Sequence, residues 1–193
     1  MLIPLRLSAQ SDEQLMRAAA KGSDRAFEEL YNRHSRRLQG FFARRLAGDA
    51  DLAADFMHDT FLRLYSARET YREGRSFRPW LYTIAYNLVK NHFRSQLAIV
   101  RDDSPDARRF SDEEANASDI ELAMDEASFL GALRDVLKSL PEPYAMLFSL
   151  HYEEELTIPQ IAQITALPEG TVKSRLHKAM TIIKKELKHY ENR

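Results

Sequence analysis

The sequence predicts an all-α protein of two small helical domains, residues 1–96 and 122–193, joined by an acidic, flexible segment over residues 97–121. Three observations lead there. Apolar residues recur at three-and-four spacing through the long segments, as helix faces turned to a core require. Residues 1–96 hold no alternating β-branched run of the kind that marks a strand. The formal net charge of −1 conceals a division along the chain. Arg25–Gln96 carries 13 Lys/Arg against 8 Asp/Glu (+5), Leu97–Glu126 carries 3 against 10 (−7), and Leu167–Arg193 carries 7 against 3 (+4). Two basic blocks flanking an acidic one suit two nucleic-acid surfaces joined by a segment kept off the duplex.

Composition sets the outer limits. The 193 residues are 44% hydrophobic, enough to build cores, so disorder throughout is not expected. The absence of cysteine excludes disulfides and cysteine-ligated zinc and suits a reducing interior. No histidines fall in a tight ligand spacing such as HExxH, and neither metal nor cofactor is expected. No apolar run approaches the roughly 20 residues that span a bilayer, and MLIPLRL is too short and too weakly basic for a secretory signal. A cytoplasmic protein is the expectation.

In chain order, Ser11–Ala20 reads as a short helix capped by Ser11 or Asp12, with Gly22 just past its end. Ser23 or Asp24 caps the next. That helix sets Phe27, Leu30, Tyr31, Leu38, Phe41, Phe42 and Leu46 at core spacing, with Arg33, Arg36, Arg37, Arg44 and Arg45 outside it as a solvated face or as phosphate contacts. Gly48 and Asp49 break it. From Asp51 a third helix places Leu52, Phe56, Phe61, Leu62 and Leu64 in one stripe and Asp55, His58 and Asp59 on the other face. Asp55 and Asp59 stand one turn apart, so an acid/base or metal cluster is conceivable. No second group of ligands accompanies them, and a docking face for a basic partner fits better.

Tyr71–Arg78 is expected to be a loop, because Gly74 and Ser76 disfavour helix and the residue before Pro79 is pushed out of the α region. Pro79 then opens a helix with Trp80, Leu81, Ile84, Ala85 and Leu88 available for burial. Tyr82, Tyr86, Asn87, Lys90, Asn91 and Arg94 contribute a polar, basic face, on which Asn87 and Asn91 point the same way. An aromatic, basic loop beside a helix bearing amides can stack unpaired bases and read their edges. Aromatics serving only as core are the bland reading, and it suits Trp80.

The segment RDDSPDARRFSDEEANASD is nearly devoid of large apolar residues and too charged to repay ordering entropy. Helical periodicity resumes over Ile120–Leu140, and Tyr144–Leu150 supplies a further helix. In EEELTIPQIAQITALPEGTVKSRLHKAM, Thr157 and Gln160 form a capping box with Pro159 in the first turn, so a short helix begins near Ile158. A break falls at Thr165–Leu167. Pro168 starts a second helix whose Val172, Leu176, Ile183 and Leu187 mark one apolar face, with Thr171, Lys173, Ser174, Arg175, His177 and Lys178 between them. This is the pattern of a helix-turn-helix with a basic recognition helix, or of an ordinary helical hairpin with a solvated face.

PWLYTIAYNLVKNHFR, with DFMHDTFLRLY before it and LPEPYAMLF…LTIPQIAQI…PEGTVKSRLHKAM after it, resembles the extracytoplasmic-function sigma factors, over roughly Ala26–Leu187 and in the right order. The resemblance implies a region 2-like front domain, a region 4-like rear domain, and promoter-specific initiation by core RNA polymerase without catalysis by this chain. It implies that the helix bearing Asp55, His58, Asp59 and Phe61 grips the β′ clamp helices. The family commonly has Gln then Glu where His58 and Asp59 stand. It also implies that the rear domain meets the β flap and that the acidic segment threads toward the active-site cleft. Tyr71, Arg75, Ser76 and Phe77 would capture a flipped base of the −10 element, while Asn87, Lys90 and Asn91 would read that element. Lys173, Ser174 and His177 would face bases of the −35 element, with Thr171, Arg175 and Lys178 nearer phosphates; Lys173 suits guanine acceptors best. A cognate anti-sigma protein covering these surfaces is implied as well. A helix-turn-helix repressor or a response regulator acting without polymerase is the competing class, although no receiver-like strand pattern precedes the rear domain.

Overall fold

Ser11 opens the first helix by a reciprocal cap: its hydroxyl accepts from the Gln14 N–H at 3.2 Å while the Gln14 side chain accepts from the Ser11 N–H at 2.9 Å. The computed structural model describes residues 7–46, 48–72, 74–101 and 126–191, and every regular element among them is helical. The main helices are α1 (Asp12–Ala20), α2 (Asp24–Arg45), α3 (Ala50–Ser66), α4 (Phe77–Arg101), α5 (Glu126–Ser139), α6 (Glu142–Phe148), α7 (Ile158–Thr165) and α8 (Glu169–Glu191). A π-helical turn over Ser149–Glu153 follows α6. Of the expected acidic connection over residues 97–121, residues 97–101 continue α4 and residues 102–121 lie outside the described residues.

Two caps fall where the sequence places them: Ser23 starts α2, and Thr157 pairs with Gln160 to start α7. Asp49, read from sequence only as part of the break, accepts from the Leu52 N–H at 2.9 Å and so caps α3, which begins at Ala50. Pro79 behaves differently from expectation. The helix begins two residues before it, at Phe77, so Phe77 and Arg78 belong to α4 and not to the loop. A proline in the first turn forfeits no hydrogen bond. The free Phe77 N–H donates to Glu13 Oε1 at 3.2 Å, and this tie to α1 overrides the local bias of the pre-proline residue.

α2 lies between α1 and α3, and α4 packs across α3. Leu15, Leu30, Leu38, Phe41, Phe42, Leu64, Phe77 and Leu81 are all fully buried where these helices meet. The edge-on pair Phe41–Tyr82, with centroids 5.5 Å apart, joins α2 to α4. Two of the arginines expected outside this core are structural. Arg33 donates to Glu29, Asp12 and the carbonyls of Gln10 and Leu7, fastening α1 to α2. Arg45 is buried at 8% exposure beside Glu142 of α6.

The rear helices divide their apolar residues between two cores. Val136, Leu140, Ala145, Ala179 and Ile183 hold α5, α6 and α8 together. Met146, Leu147, Leu150, Leu156, Ile161, Ile164, Val172 and Leu176 instead form one continuous cluster with the front core, with α7 laid against α4. The two halves of the chain are therefore docked through apolar surface.

Candidate nucleic-acid interface

Three helices carry the residues in question. On α3, Asp55, His58, Asp59 and Leu62 share one exposed face by their three-and-four spacing. His58 Nε2 and the Tyr31 hydroxyl lie 3.1 Å apart, and Asp59 holds Arg63 at 3.1 Å. Leu62 was expected in the buried stripe but is 65% exposed. Its neighbour Phe61 takes the core position instead, 3% exposed and packed on Tyr31 at 4.8 Å, so Phe61 shapes this face from beneath and does not present itself to a partner. The i, i+3, i+4, i+7 spacing of Asp55, His58, Asp59 and Leu62 is the signal that separates Leu62 from the stripe. Among the described residues no three His, Cys, Asp or Glu side chains gather closely enough to hold a metal ion.

Residues 71–76 form the loop before α4. Tyr71 is half-buried, its ring 5.2 Å from that of Trp80, and its hydroxyl donates to the Arg75 carbonyl. Burial pushes the Tyr71 hydroxyl up to about 12, so it stays a donor. The Arg75 guanidinium lies 5.1 Å from the centre of the Trp80 ring. Gly74, at φ +84°, supplies the left-handed residue that folds the loop back. A cavity of about 200 Å³ opens between Glu13, Arg17, Tyr71, Gly74, Arg75 and Ser76. Phe77 departs from the expectation: fully buried against His34, it anchors the loop and cannot meet a base.

Along α4, Asn87, Lys90 and Asn91 are exposed, and Asn87 and Asn91 project from one face. Tyr82, expected on that polar surface, is buried at 2% exposure where its hydroxyl donates to the Glu154 carboxylate. Burial first, and the Glu154 charge second, push this hydroxyl above its ordinary range. Sequence spacing could not reveal this, because the partner is supplied by the rear half of the chain.

In the rear half, Ala166 at φ +56° ends α7 and turns the chain into α8. Val172 and Leu176 are buried against α7. That fixes the opposite side of α8 outward, where Lys173, Ser174 and His177 are exposed. The Ser174 hydroxyl donates back to the Thr171 carbonyl at 3.1 Å, and Thr171, Arg175 and Lys178 are half-buried along the flanks. Exposed ammonium, hydroxyl and imidazole groups on the first turns of a helix held by a short partner helix are chemically equipped to meet base edges, with basic groups beside them for phosphates.

Residues 30–98 match the family model Sigma-70 region 2, and residues 130–183 match Sigma-70, region 4. The chain is 30% identical over 186 residues to the RNA polymerase sigma-H factor of Pseudomonas aeruginosa, covering 94% of this chain and 96% of that one. It is 29% identical over 179 residues to the ECF RNA polymerase sigma-E factor of Escherichia coli strain K12, covering 90% and 92%. Its fold is shared with CnrH, solved with the cytosolic domain of CnrY (TM-score 0.65, 22% identity, 93% of this chain and 99% of that one). It is shared too with the sigma factor RpoE of Bartonella quintana, solved with the anti-sigma factor NepR (TM-score 0.63, 21% identity, 84% and 96%).

Proposed function

We propose a mechanism from one premise: the chain belongs to the sigma-70 family, as an extracytoplasmic-function RNA polymerase sigma factor. The front domain carries two exposed surfaces with separate tasks. Asp55, His58, Asp59 and the protruding Leu62 dock on the β′ clamp helices of core polymerase. Asn87, Lys90 and Asn91 read the −10 element, and the Tyr71–Arg75–Ser76 loop receives a base flipped out of it. The rear domain lays α8 in the major groove at the −35 element, with Lys173, Ser174 and His177 toward bases and Thr171, Arg175 and Lys178 toward the backbone, and meets the β flap.

The observation that carries this reading is that the amides of α4 and the basic first turns of α8 are both exposed, each within the segment matched by its family model. The chain itself makes and breaks no covalent bond. Binding energy drives melting: unpairing costs a few kcal/mol per flipped base, offset by capture in the loop and by docking on polymerase. A protein that reads sequence through two modest surfaces binds promoter DNA poorly when free, and its affinity falls with salt in proportion to the phosphates it contacts.

A sigma factor acts where the polymerase and promoter are, so the chain works in the cytoplasm; no helix among the described residues is long and apolar enough to cross a membrane. An anti-sigma protein is the natural regulator, given that CnrH and the Bartonella RpoE were each solved with a partner. Electrophoretic mobility assays with core polymerase test the reading: the chain should shift a −35/−10 promoter fragment only when polymerase is present. A shift by free chain on a palindromic site would favour a repressor instead.

A further inference from the structure

Between the two halves of the chain lies an open cleft of about 520 Å³, lined by Arg33, Arg36, Arg37, Gly40 and Arg44 of α2 and by Glu153 and Glu154 of the rear half. The three-and-four spacing of Arg33, Arg36, Arg37, Gly40 and Arg44 puts four guanidinium groups along one side of a single helix. Arg33 is taken up by Asp12 and Glu29 within the front half, and Arg37 and Arg44 are occupied by carboxylates of the rear half. Arg37 Nε donates to Glu154 Oε2 at 2.7 Å, Arg44 Nε to Glu153 Oε2 at 2.7 Å, and Arg44 Nη2 to Glu154 Oε1 at 3.0 Å. From α4, Arg78 donates to the Glu154 carbonyl and Tyr82 to its carboxylate. Glu154 is thereby fully buried, whereas Arg37 and Arg44 keep 41% of their side chains in solvent. Arg36, exposed on the same face, has no ionic or hydrogen-bonding partner among the described residues.

A fork of guanidinium N–H groups recognises carboxylate and phosphate by the same charge-assisted geometry. A carboxylate pair offered by another part of the chain can therefore hold a phosphate site closed. The docked arrangement also lays α7, the helix that supports the first turns of α8, against α4. The −10 and −35 elements, by their designations, are about 25 base pairs apart, or roughly 85 Å of duplex at about 3.4 Å per pair. The two halves must part before they can engage both, and parting exposes this arginine row.

We propose that Arg36, Arg37 and Arg44 form a phosphate-binding site for single-stranded nucleic acid, which Glu153 and Glu154 occupy in the closed chain. The site extends the front domain's grip on melted DNA, and in this it rests on the reading given above. Opening the chain and gaining the site are one event.

The test uses the full chain without polymerase. Because the protein has no cysteine, Glu69→Cys and Gln163→Cys accept a donor–acceptor dye pair directly. The probe is a labelled dT20 oligonucleotide. The dye-labelled parent should give close dyes and weak dT20 binding. Glu154→Lys should part the dyes and tighten dT20 binding by about tenfold or more, with a steeper salt dependence. Adding Arg36→Ala and Arg44→Ala to Glu154→Lys should abolish that gain while the dyes stay apart. Arg44→Glu alone, at the exposed rim, should part the dyes without tightening binding, and circular dichroism confirms that each variant is helical. Dyes that remain close in both Glu154→Lys and Arg44→Glu overturn the proposal, as does a gain in affinity that survives loss of Arg36 and Arg44. Neither result bears on promoter-specific initiation, which needs polymerase and is measured separately.

Discussion

Arg37 Nε and Glu154 Oε2, 117 residues apart in the chain, meet at 2.7 Å across the junction of the two halves. Burial opposes the Arg37 charge, but the hydrogen bond to Glu154 and the charges of Glu154, Tyr82 and Glu155 together outweigh it and hold the guanidinium above its ordinary range. A fully buried carboxylate is tolerated here because Arg37, Arg44 and Tyr82 all donate to it. Tyr82→Phe leaves the packing intact and removes one donor. It should weaken docking by about 1–3 kcal/mol, read as a wider mean separation between the dyes at residues 69 and 163.

Docking should also depend on pH through Glu142. Burial on α6 pushes its carboxyl from 4.5 up to about 7, against the opposing pull of Arg45 3.8 Å away. Glu142 Oε1 and Arg45 Nε are buried without a partner, so the pair is incompletely satisfied. A carboxyl whose value is raised on docking binds a proton more tightly in the docked state. Its contribution is therefore full below about pH 4.5 and is lost as pH rises through about 7. The separation between the dyes should widen from pH 5.5 to pH 8, and Glu142→Gln should flatten that part of the change. The difference between the two proteins isolates Glu142 from every other group in the chain. A parent profile identical to that of Glu142→Gln would contradict this assignment.

Phe77 offers a sharp contrast between core and contact. Fully buried against His34, it should cost about 3–5 kcal/mol when replaced by alanine, seen as a lowered Tm of the whole chain, whereas Phe77→Leu should restore most of the loss. A base-stacking role would give the opposite pattern, with unchanged stability and defective promoter opening.

Asn87 and Lys173 should separate the two DNA tasks. Asn87→Ala is expected to slow promoter opening by the holoenzyme, followed by permanganate reactivity of unpaired thymines, while leaving the affinity for −35 duplex unchanged. Lys173→Ala should lower that affinity by about 1–3 kcal/mol and relax sequence preference at one base pair. Equal loss of both properties in Asn87→Ala would contradict the role given to it.

Much of this architecture was legible in local chemistry. The Ser23 and Thr157 caps and the apolar faces of α2, α4 and α8 depend on neighbours within a few residues, and the spacing alone identifies them. The exposure of Asn87 and Asn91 follows from the apolar face of α4, and that of Lys173 and Ser174 from the apolar face of α8. What spacing missed was decided by distant partners. Arg45 and Tyr82 are polar residues on helix flanks, and nothing near them in sequence foretells that Glu142 and Glu154 will bury them. The start of α4 was missed for the same reason, since Glu13 of α1 accepts the Phe77 N–H. Leu62 and Phe61 are adjacent apolar residues on a helix and cannot both face inward. The aromatic ring went to the core, where Phe27 and Tyr31 receive it edge-on or tilted.

Run-off transcription with purified core polymerase tests the central claim most directly. Adding this chain should produce initiation at a −35/−10 promoter at which core polymerase alone gives none, and Asn87→Ala with Lys173→Ala should suppress it. Sequence-specific DNA binding by the chain with no stimulated transcript at any promoter would contradict the account.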